Sequence, residues 1–225
     1  PVTVEAENGI EWLRDARQYI ARGNARATQG EVTVLADRLI ASYREAADGS
    51  TEIFQLEADG NVRIASPTET AYGDRAVYDL DSQRMRLTGQ DLRLVSAEDT
   101  VTARERIDYF QQEKMAVAVG DAVATRGDRT IRADTLTARF AEGKDGKQQL
   151  TRVDADGNVV ITTPNEIARS RQAVYTVARE TAVLTGDVKI TQGRNQLNGQ
   201  RAEVNLRTGV SKLLAGQSGD GRVKG

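Results

Sequence analysis

Residues 3 to 89 align with residues 100 to 186 at one constant offset of 97 positions, without a gap, and 33 of the 87 aligned pairs are identical. The match runs through Thr3/Thr100, Gly23/Gly120, Asp37/Asp134, Leu39/Leu136 and the run AlaAspGlyAsnVal at 58–62 and 155–159. It continues through Pro67/Pro164, Tyr78/Tyr175 and Leu87-Thr88-Gly89 against Leu184-Thr185-Gly186. A chain that contains itself twice folds as a stack of similar units, each covering the apolar face of the next. Its working surface is then one that the whole stack makes.

A shorter period lies inside the long one. Glycines at 23, 60, 89, 120, 157, 186 and 216 recur every 29 to 37 residues, and after most of them the second and fourth residues are apolar, as in Val62/Ile64, Val159/Ile161 and Val188/Ile190. Period two means strands. Later in each unit small or apolar residues occupy relative positions 0, 2, 5, 7 and 9, as in Val34, Ala36, Leu39, Ala41 and Tyr43. The alternation slips by one between positions 2 and 5. An unbroken strand would turn its second half toward water there, so the backbone must bulge or bend. A bend repeated at the same place in every unit makes a crease, and the strands then serve two sheets facing each other across an apolar interior. AspGlySer at 48–50, AspSerGln at 81–83, LysAspGlyLys at 144–147 and ArgThrGly at 207–209 supply turns between strands. SerProThr at 66–68 and ThrProAsn at 163–165 mark the opposite ends, where no ladder N–H is needed. The expected architecture is all-β: an elongated, open-ended, two-sheet antiparallel meander forming one continuous body over residues 1–216. It consists of two repeated halves, about 3–99 and 100–216, with a flexible tail at 217–225.

Composition removes most chemistry. With no cysteine and no histidine, thiol nucleophiles, Ser-His-Asp triads and histidine-bearing zinc or iron sites cannot be built in their usual form. No catalytic residue, metal or cofactor is expected. Paired carboxylates such as Glu5/Glu7 or Asp154/Asp156 share a sheet face, but similar residues recur throughout the solvent-facing phase. GlyAspGlyArgValLysGly at 219–225 lacks the strand-to-helix setting of a phosphate loop. A net charge of -2 with interspersed signs offers no basic stripe for nucleic acid. The longest uncharged apolar run, Met115 to Gly120, is too short to span a bilayer as a helix, and any export signal or anchor would precede Pro1.

The interior carries the candidate site. Relative position 2 is always small (Ala36, Gly73, Ala133, Ser170, Gly199), which fits a close approach of the sheets at the crease. Aromatics make up only 4% of the chain. The other inward positions are mostly aliphatic, so the middle is expected to be an apolar groove open to a ligand. Val34, Leu39, Val62, Ile64 and Tyr78 line it in the first half; Ile131, Leu136, Val159, Ile161, Tyr175 and Leu197 line it in the second. An open meander also leaves its first and last strands unpaired. These are expected at Thr3, Val4 and Ala6 and at Ala202, Val204 and Leu206, with neither proline nor inward charge to blunt them.

ValThrValGluAlaGluAsnGlyIleGluTrp at 2–12, ArgGlyAsnAlaArgAla at 22–27, ThrIleArgAlaAsp at 130–134, GlyAspValLysIleThrGlnGly at 186–193 and AsnLeuArgThrGlyValSerLysLeuLeuAlaGly at 205–216 resemble the OstA-like family over nearly the whole chain. The similarity is greatest to its LptA-type branch, with the LptC type and the periplasmic domain of LptD as relatives. The resemblance implies a twisted β-jelly roll in the periplasm whose apolar interior holds the acyl chains of lipopolysaccharide (lipid A) without catalysis. It further implies head-to-tail copies forming a bridge from an LptC-like protein at the inner membrane to an LptD-like protein at the outer one. A structural or glycan-binding β-solenoid is the alternative. Such a protein would display aromatics on its outer face, whereas Tyr43, Tyr78 and Tyr175 fall in the inward phase.

Overall fold

The computed structural model describes residues 2–144 and 148–214. Two compact units divide the chain, Pro1–Glu113 and Lys114–Gly225. In the first unit the strands are β1 (Val2–Glu5), β2 (Ile10–Leu13), β3 (Gln18–Gln29), β4 (Val32–Glu45), β5 (Thr51–Ala65), β6 (Glu69–Asp79), β7 (Arg84–Thr88), β8 (Leu92–Ser96), β9 (Asp99–Ala103) and β10 (Arg106–Phe110). The second holds β11 (Met115–Arg126), β12 (Arg129–Glu142), β13 (Gln148–Thr162), β14 (Ile167–Thr176), β15 (Thr181–Gln192), β16 (Asn195–Asn205) and β17 (Val210–Leu213). A single 3-10 turn, Val177–Arg179, interrupts the strands of the described residues.

The division falls later than the repeat boundary at 99/100. Strands β9 and β10 are the second copy's counterparts of β1 and β2, yet they pair backward, β9 on β8 and β10 on β7. In a meander the strand that opens one repeat also closes the previous one. Sequence repeat and compact body are therefore out of phase.

Within each unit every ladder is antiparallel, and the long strands carry the expected break at one level. Pairing shifts between Arg22 and Ala25, Leu35 and Arg38, and Asp59 and Val62 in the first unit. In the second it shifts between Val119 and Ala122, Arg132 and Thr135, Asp156 and Val159, and Thr185 and Val188. Hydrogen bonding resumes on both sides, so each unit is one sheet creased into two wings; the two-sheet expectation is met by folding one sheet. The bend comes from consecutive left-handed residues on alternate strands: Gly60 and Asn61 at φ 79° and 48°, Gly157 and Asn158 at 79° and 49°. Glycine is required twice over at Gly60 and Gly157. A Cβ there would also strike the carboxylate of Asp37 or Asp134 on the neighbouring strand. Those carboxylates instead accept the side-chain N–H of Asn61 and Asn158, each at 2.9 Å. Identical residues in the two copies thus make identical creases.

The row of small residues follows from the same geometry. A Cβ on Gly73 would lie 2.8 Å from Leu87 Cδ1, and one on Gly199 would lie 3.0 Å from Leu213 Cδ2. Leucines of the next strand fold into the space, and Leu87 is 1% exposed. Turn chemistry is also as expected. Ser50 donates both its N–H and its hydroxyl to Asp48 (2.9 and 2.6 Å), Ser82 does the same to Asp79 (2.8 Å each), and Asn205 caps the N–H groups of Arg207 and Thr208. Residues 145–147 of the expected turn and the tail at 217–225 lie outside the described residues.

Candidate functional site

Register gathers the inward residues into rows that cross each unit. In the first unit Val4, Ala27, Val34, Ile64, Ala71 and Leu94 stand side by side on one wing. On the other wing, Ile10, Ala21, Leu39, Ala58, Ala76 and Leu87 form one row. Trp12, Tyr19, Ala41, Leu56, Tyr78 and Met85 form the next. In the second unit Ile131, Ile161, Ala168, Ile190 and Leu197 make the first wing's row. There Leu136 shares a row with Ala155, Ala173 and Leu184, and Tyr175 shares one with Val153, Ala182 and Val204. Val62 and Val159 sit at the crease, 2% and 1% exposed. Nine of the eleven expected lining residues thus fall in these rows, and Val62 and Val159 sit beside them at the crease.

The two inner faces differ in how far they are covered. In the second unit Ile161, Val188, Ile190, Leu184 and Val204 are all 2% exposed or less. In the first, Val4 is 39% exposed, Ile10 55%, Trp12 52% and Leu56 37%, all on the face that elsewhere buries aliphatics. Each of these, being 37–55% exposed, forfeits part of the roughly 1.5–3 kcal/mol that full burial supplies, and apolar exposure of this kind marks a candidate binding surface. Trp12 stacks on Tyr19 with ring centroids 5.9 Å apart, Tyr19 meets Tyr43 at 5.2 Å, and the Trp12 indole N–H donates to the Tyr43 hydroxyl at 2.8 Å. The aromatics thus form a platform on the inner side. Alternation alone could not show this cluster, because it depends on which strands become neighbours.

The outer face holds ion pairs. Its strongest group was missed by sequence reasoning: Asp108, 2% exposed, on β10. It accepts from Arg86 Nε at 2.7 Å and Arg106 Nε at 2.9 Å, with Arg84 Nη2 3.3 Å away. Burial opposes its charge, but the bonds from Arg86 and Arg106 and the field of Arg84 outweigh that and hold its carboxyl below the ordinary range. The signal was Arg84, Arg86 and Arg106 alternating on one phase, which becomes a cluster only once β10 pairs with β7. Three of the four carboxylates weighed earlier have partners of their own: Glu7 accepts from Asn24, Asp154 pairs with Arg139 and Arg152, and Asp156 accepts from Gln172.

The expected partner edges are corrected on the C-terminal side. Ala202 and Val204 pair not only with β15 but also with Leu213 and Ser211 of β17, and with Leu206 they are buried. The pattern at 202–206 alternates well because it lies inside the sheet; the edge moves out to β17. On the N-terminal side Thr3 and Val4 belong to β1, paired to β3 through Thr3↔Thr28 and Val4↔Ala27, and Ala6 follows that strand.

Creased antiparallel sheets built from tandem strands, with a long aliphatic inner face and a charged outer one, define an all-β, repeat-built fold. Within it, the family described as LptA/(LptD N-terminal domain) LPS transport protein matches residues 3–115 and again 105–210. The chain belongs to that lipopolysaccharide-transport family. An uncharacterized protein of Rhizobium meliloti (strain 1021) is 21% identical over 168 residues, 72% of this chain and 87% of the relative. Among solved structures, LptH of Pseudomonas aeruginosa, described as the LptA-homologous periplasmic component of the lipopolysaccharide transport device, superposes with a TM-score of 0.45 at 18% identity. That match covers 53% of this chain and 82% of LptH.

Proposed function

We propose that this chain is a non-catalytic periplasmic carrier that holds the acyl chains of lipopolysaccharide on its inner face and passes them along the rows. The observation that carries the reading is the exposed inner surface of Val4, Ile10, Trp12 and Leu56, continuous in register with buried aliphatics. An acyl chain of about twelve carbons costs on the order of 10 kcal/mol to expose to water at roughly 0.8 kcal/mol per CH₂. A row of Val, Ile, Leu and Ala exchanges one such contact for a similar one, so movement along it needs no chemistry in this chain. Copies joined edge to edge, with an LptC-like protein at the inner membrane and an LptD-like protein at the outer, would extend the rows across the periplasm, β-strand addition being the ordinary use of an unpaired edge.

Photo-crosslinking amino acids at Ile64 and Ile161 should capture lipopolysaccharide, while Arg63 and Val160, one residue out of phase, should not. Equal labelling in both phases would sink the inner-face reading.

A further inference from the structure

Charge is unevenly matched over the outer face of the first unit. On the wing that carries Leu39 and Ala58 the cations have partners: Arg38 pairs with Asp59 at 2.6 Å, Arg75 with Glu57 at 2.6 Å and Arg86 with Asp108 at 2.7 Å. On the wing that carries Val34 and Ile64, register lines up one outward row of Glu5, Arg26, Leu35, Arg63, Tyr72 and Arg93. Its three arginines are exposed. None has an ion-pair partner among the described residues, and even Glu5, opposite Arg26 in the ladder, makes none. The Arg93 guanidinium lies over the Tyr72 ring, 4.4 Å from its centroid, which holds it to the row. A parallel outward row carries the hydroxyls of Thr3, Thr28, Thr33, Thr70 and Thr100. The two rows share a cleft of about 330 Å³ at Thr3, Glu5, Arg26 and Thr28. Cations interspersed along the sequence are thus collected by register into a stripe.

We propose that this stripe binds a linear acidic polysaccharide carrying one carboxylate per disaccharide. Spacing carries the assignment. The arginines stand on β3, β5 and β8, with β4 and β6 between them, so their backbone positions are about 9.5 Å apart. That is close to the length of one disaccharide in an extended β-linked glycan. Each guanidinium then meets a carboxylate in two-point geometry, and the threonine hydroxyls alongside both donate and accept, as sugar hydroxyls require. Two other polyanions fit less well. Single-stranded nucleic acid stacks its bases on aromatic rings, and Tyr72, the one aromatic in either row, already carries Arg93 on its ring. An anionic membrane surface takes up apolar side chains beside the cations, and neither row holds an exposed large hydrophobic residue. The stripe is on the face opposite the acyl-chain rows, so the two can be occupied together. The repeat supplies a control. Val123 and Val160 stand 97 positions on from Arg26 and Arg63; the second unit instead places Arg169 and Lys189 on adjacent strands, and its Arg132 bonds Asp121.

Isotope-labelled full chain titrated at low salt with a hyaluronan octasaccharide, whose carboxylates sit on alternate sugars, should show saturable amide shifts at Thr28, Arg63, Tyr72 and Arg93. An uncharged chitin oligosaccharide of the same length should bind about tenfold more weakly, and the triple variant Arg26→Gln/Arg63→Gln/Arg93→Gln should lose about as much. Arg169→Gln/Lys189→Gln, which removes two cations from the second unit, should bind like the parent. The exchange Leu35→Arg/Arg63→Leu keeps the charge of the stripe but puts two cations on adjacent strands, and it should bind as weakly as Arg63→Gln. Circular dichroism confirms folding, and Arg63→Gln, at an exposed position, tests the row even where the exchange disturbs the sheet. The proposal is overturned by the absence of a saturable shift, by chitin binding as tightly as hyaluronan, or by an exchange variant that binds like the parent. It is equally overturned if oligothymidylate or phosphatidylglycerol vesicles bind more tightly through the same amides, or if the second-unit variant loses as much as the triple one.

Discussion

Gly60→Ala tests whether the crease, and not the strands alone, sets this fold. Two costs combine. Ala at φ 79° carries the left-handed penalty of about 1–2 kcal/mol. Its Cβ also displaces the Asp37 carboxylate, breaking the 2.9 Å bond from Asn61, worth about 0.5–1.5 kcal/mol. Together these reach about 2–3 kcal/mol. Gly30→Ala separates them: Gly30 has φ 58° but nothing within 4 Å of its Cβ position, so only the first cost applies. Asp37→Ala alone should cost about 1 kcal/mol, and in the double variant Gly60→Ala/Asp37→Ala the carboxylate contact is gone, leaving only the residue-37 Cβ 3.0 Å away. The pair should then be less destabilised than the sum of its singles by about 1 kcal/mol. Urea unfolding followed by the fluorescence of Trp12, the sole tryptophan, and by far-ultraviolet dichroism gives the four values. If Gly60→Ala costs no more than Gly30→Ala, or the singles add, the contact with Asp37 does not shape the crease.

Asp108 has its carboxyl held below the ordinary range, so its contribution is present above the unfolded value of about 4 and fades as pH falls through the lower folded value. Urea midpoints between pH 7 and pH 3 should drop on acidification in the parent, and Asp108→Asn should flatten that limb while lowering stability at pH 7. Ile161→Asp buries a carboxylate at a site 2% exposed and should cost at least about 3 kcal/mol by thermal melting, whereas Arg63→Asp on the outer face should stay within about 0.5 kcal/mol of the parent. Ending the chain at residue 209 removes β17 and bares the Ala202–Asn205 edge. Light scattering over a concentration series should then show stronger self-association than in the parent, and an unchanged mass would refute the edge argument.

Strand phase and the level of the crease were legible because each is written locally and repeated. A slip in alternation at positions 2 to 5, and a glycine followed by Asn or Asp, have one physical solution each. What could not be read was set by partners distant in sequence. Nothing in ArgIleAspTyrPhe at 106–110 says that Asp108 will meet Arg86, because that depends on β10 turning back onto β7. Nothing in AlaGluValAsnLeu at 202–206 distinguishes an edge strand from an inner one; the four residues of β17 decide it. For the candidate site, phase identified which residues share the inner face, but exposure depends on what lies over them. Thus Val34 and Ile131, equivalent in the repeat, are partly exposed while Ile161 is sealed.

The contrast between the two inner faces bears on how a passive carrier can work. A stretch sealed as Leu184, Val188 and Val204 are in the second unit has satisfied its apolar surface internally and gains little from an acyl chain. One with Ile10 and Trp12 more than half exposed has not, and a chain laid on it removes apolar area from both partners at about 25 cal/mol per Å². Affinity is therefore expected to fall from the first unit's open rows toward the second unit's covered ones. Crosslinking yield should follow the same order, higher at Ile10 and Leu56 than at Ile190. A yield that is uniform across these sites would mean that the second unit opens to admit lipid, and that its buried rows are a resting state of the carrier.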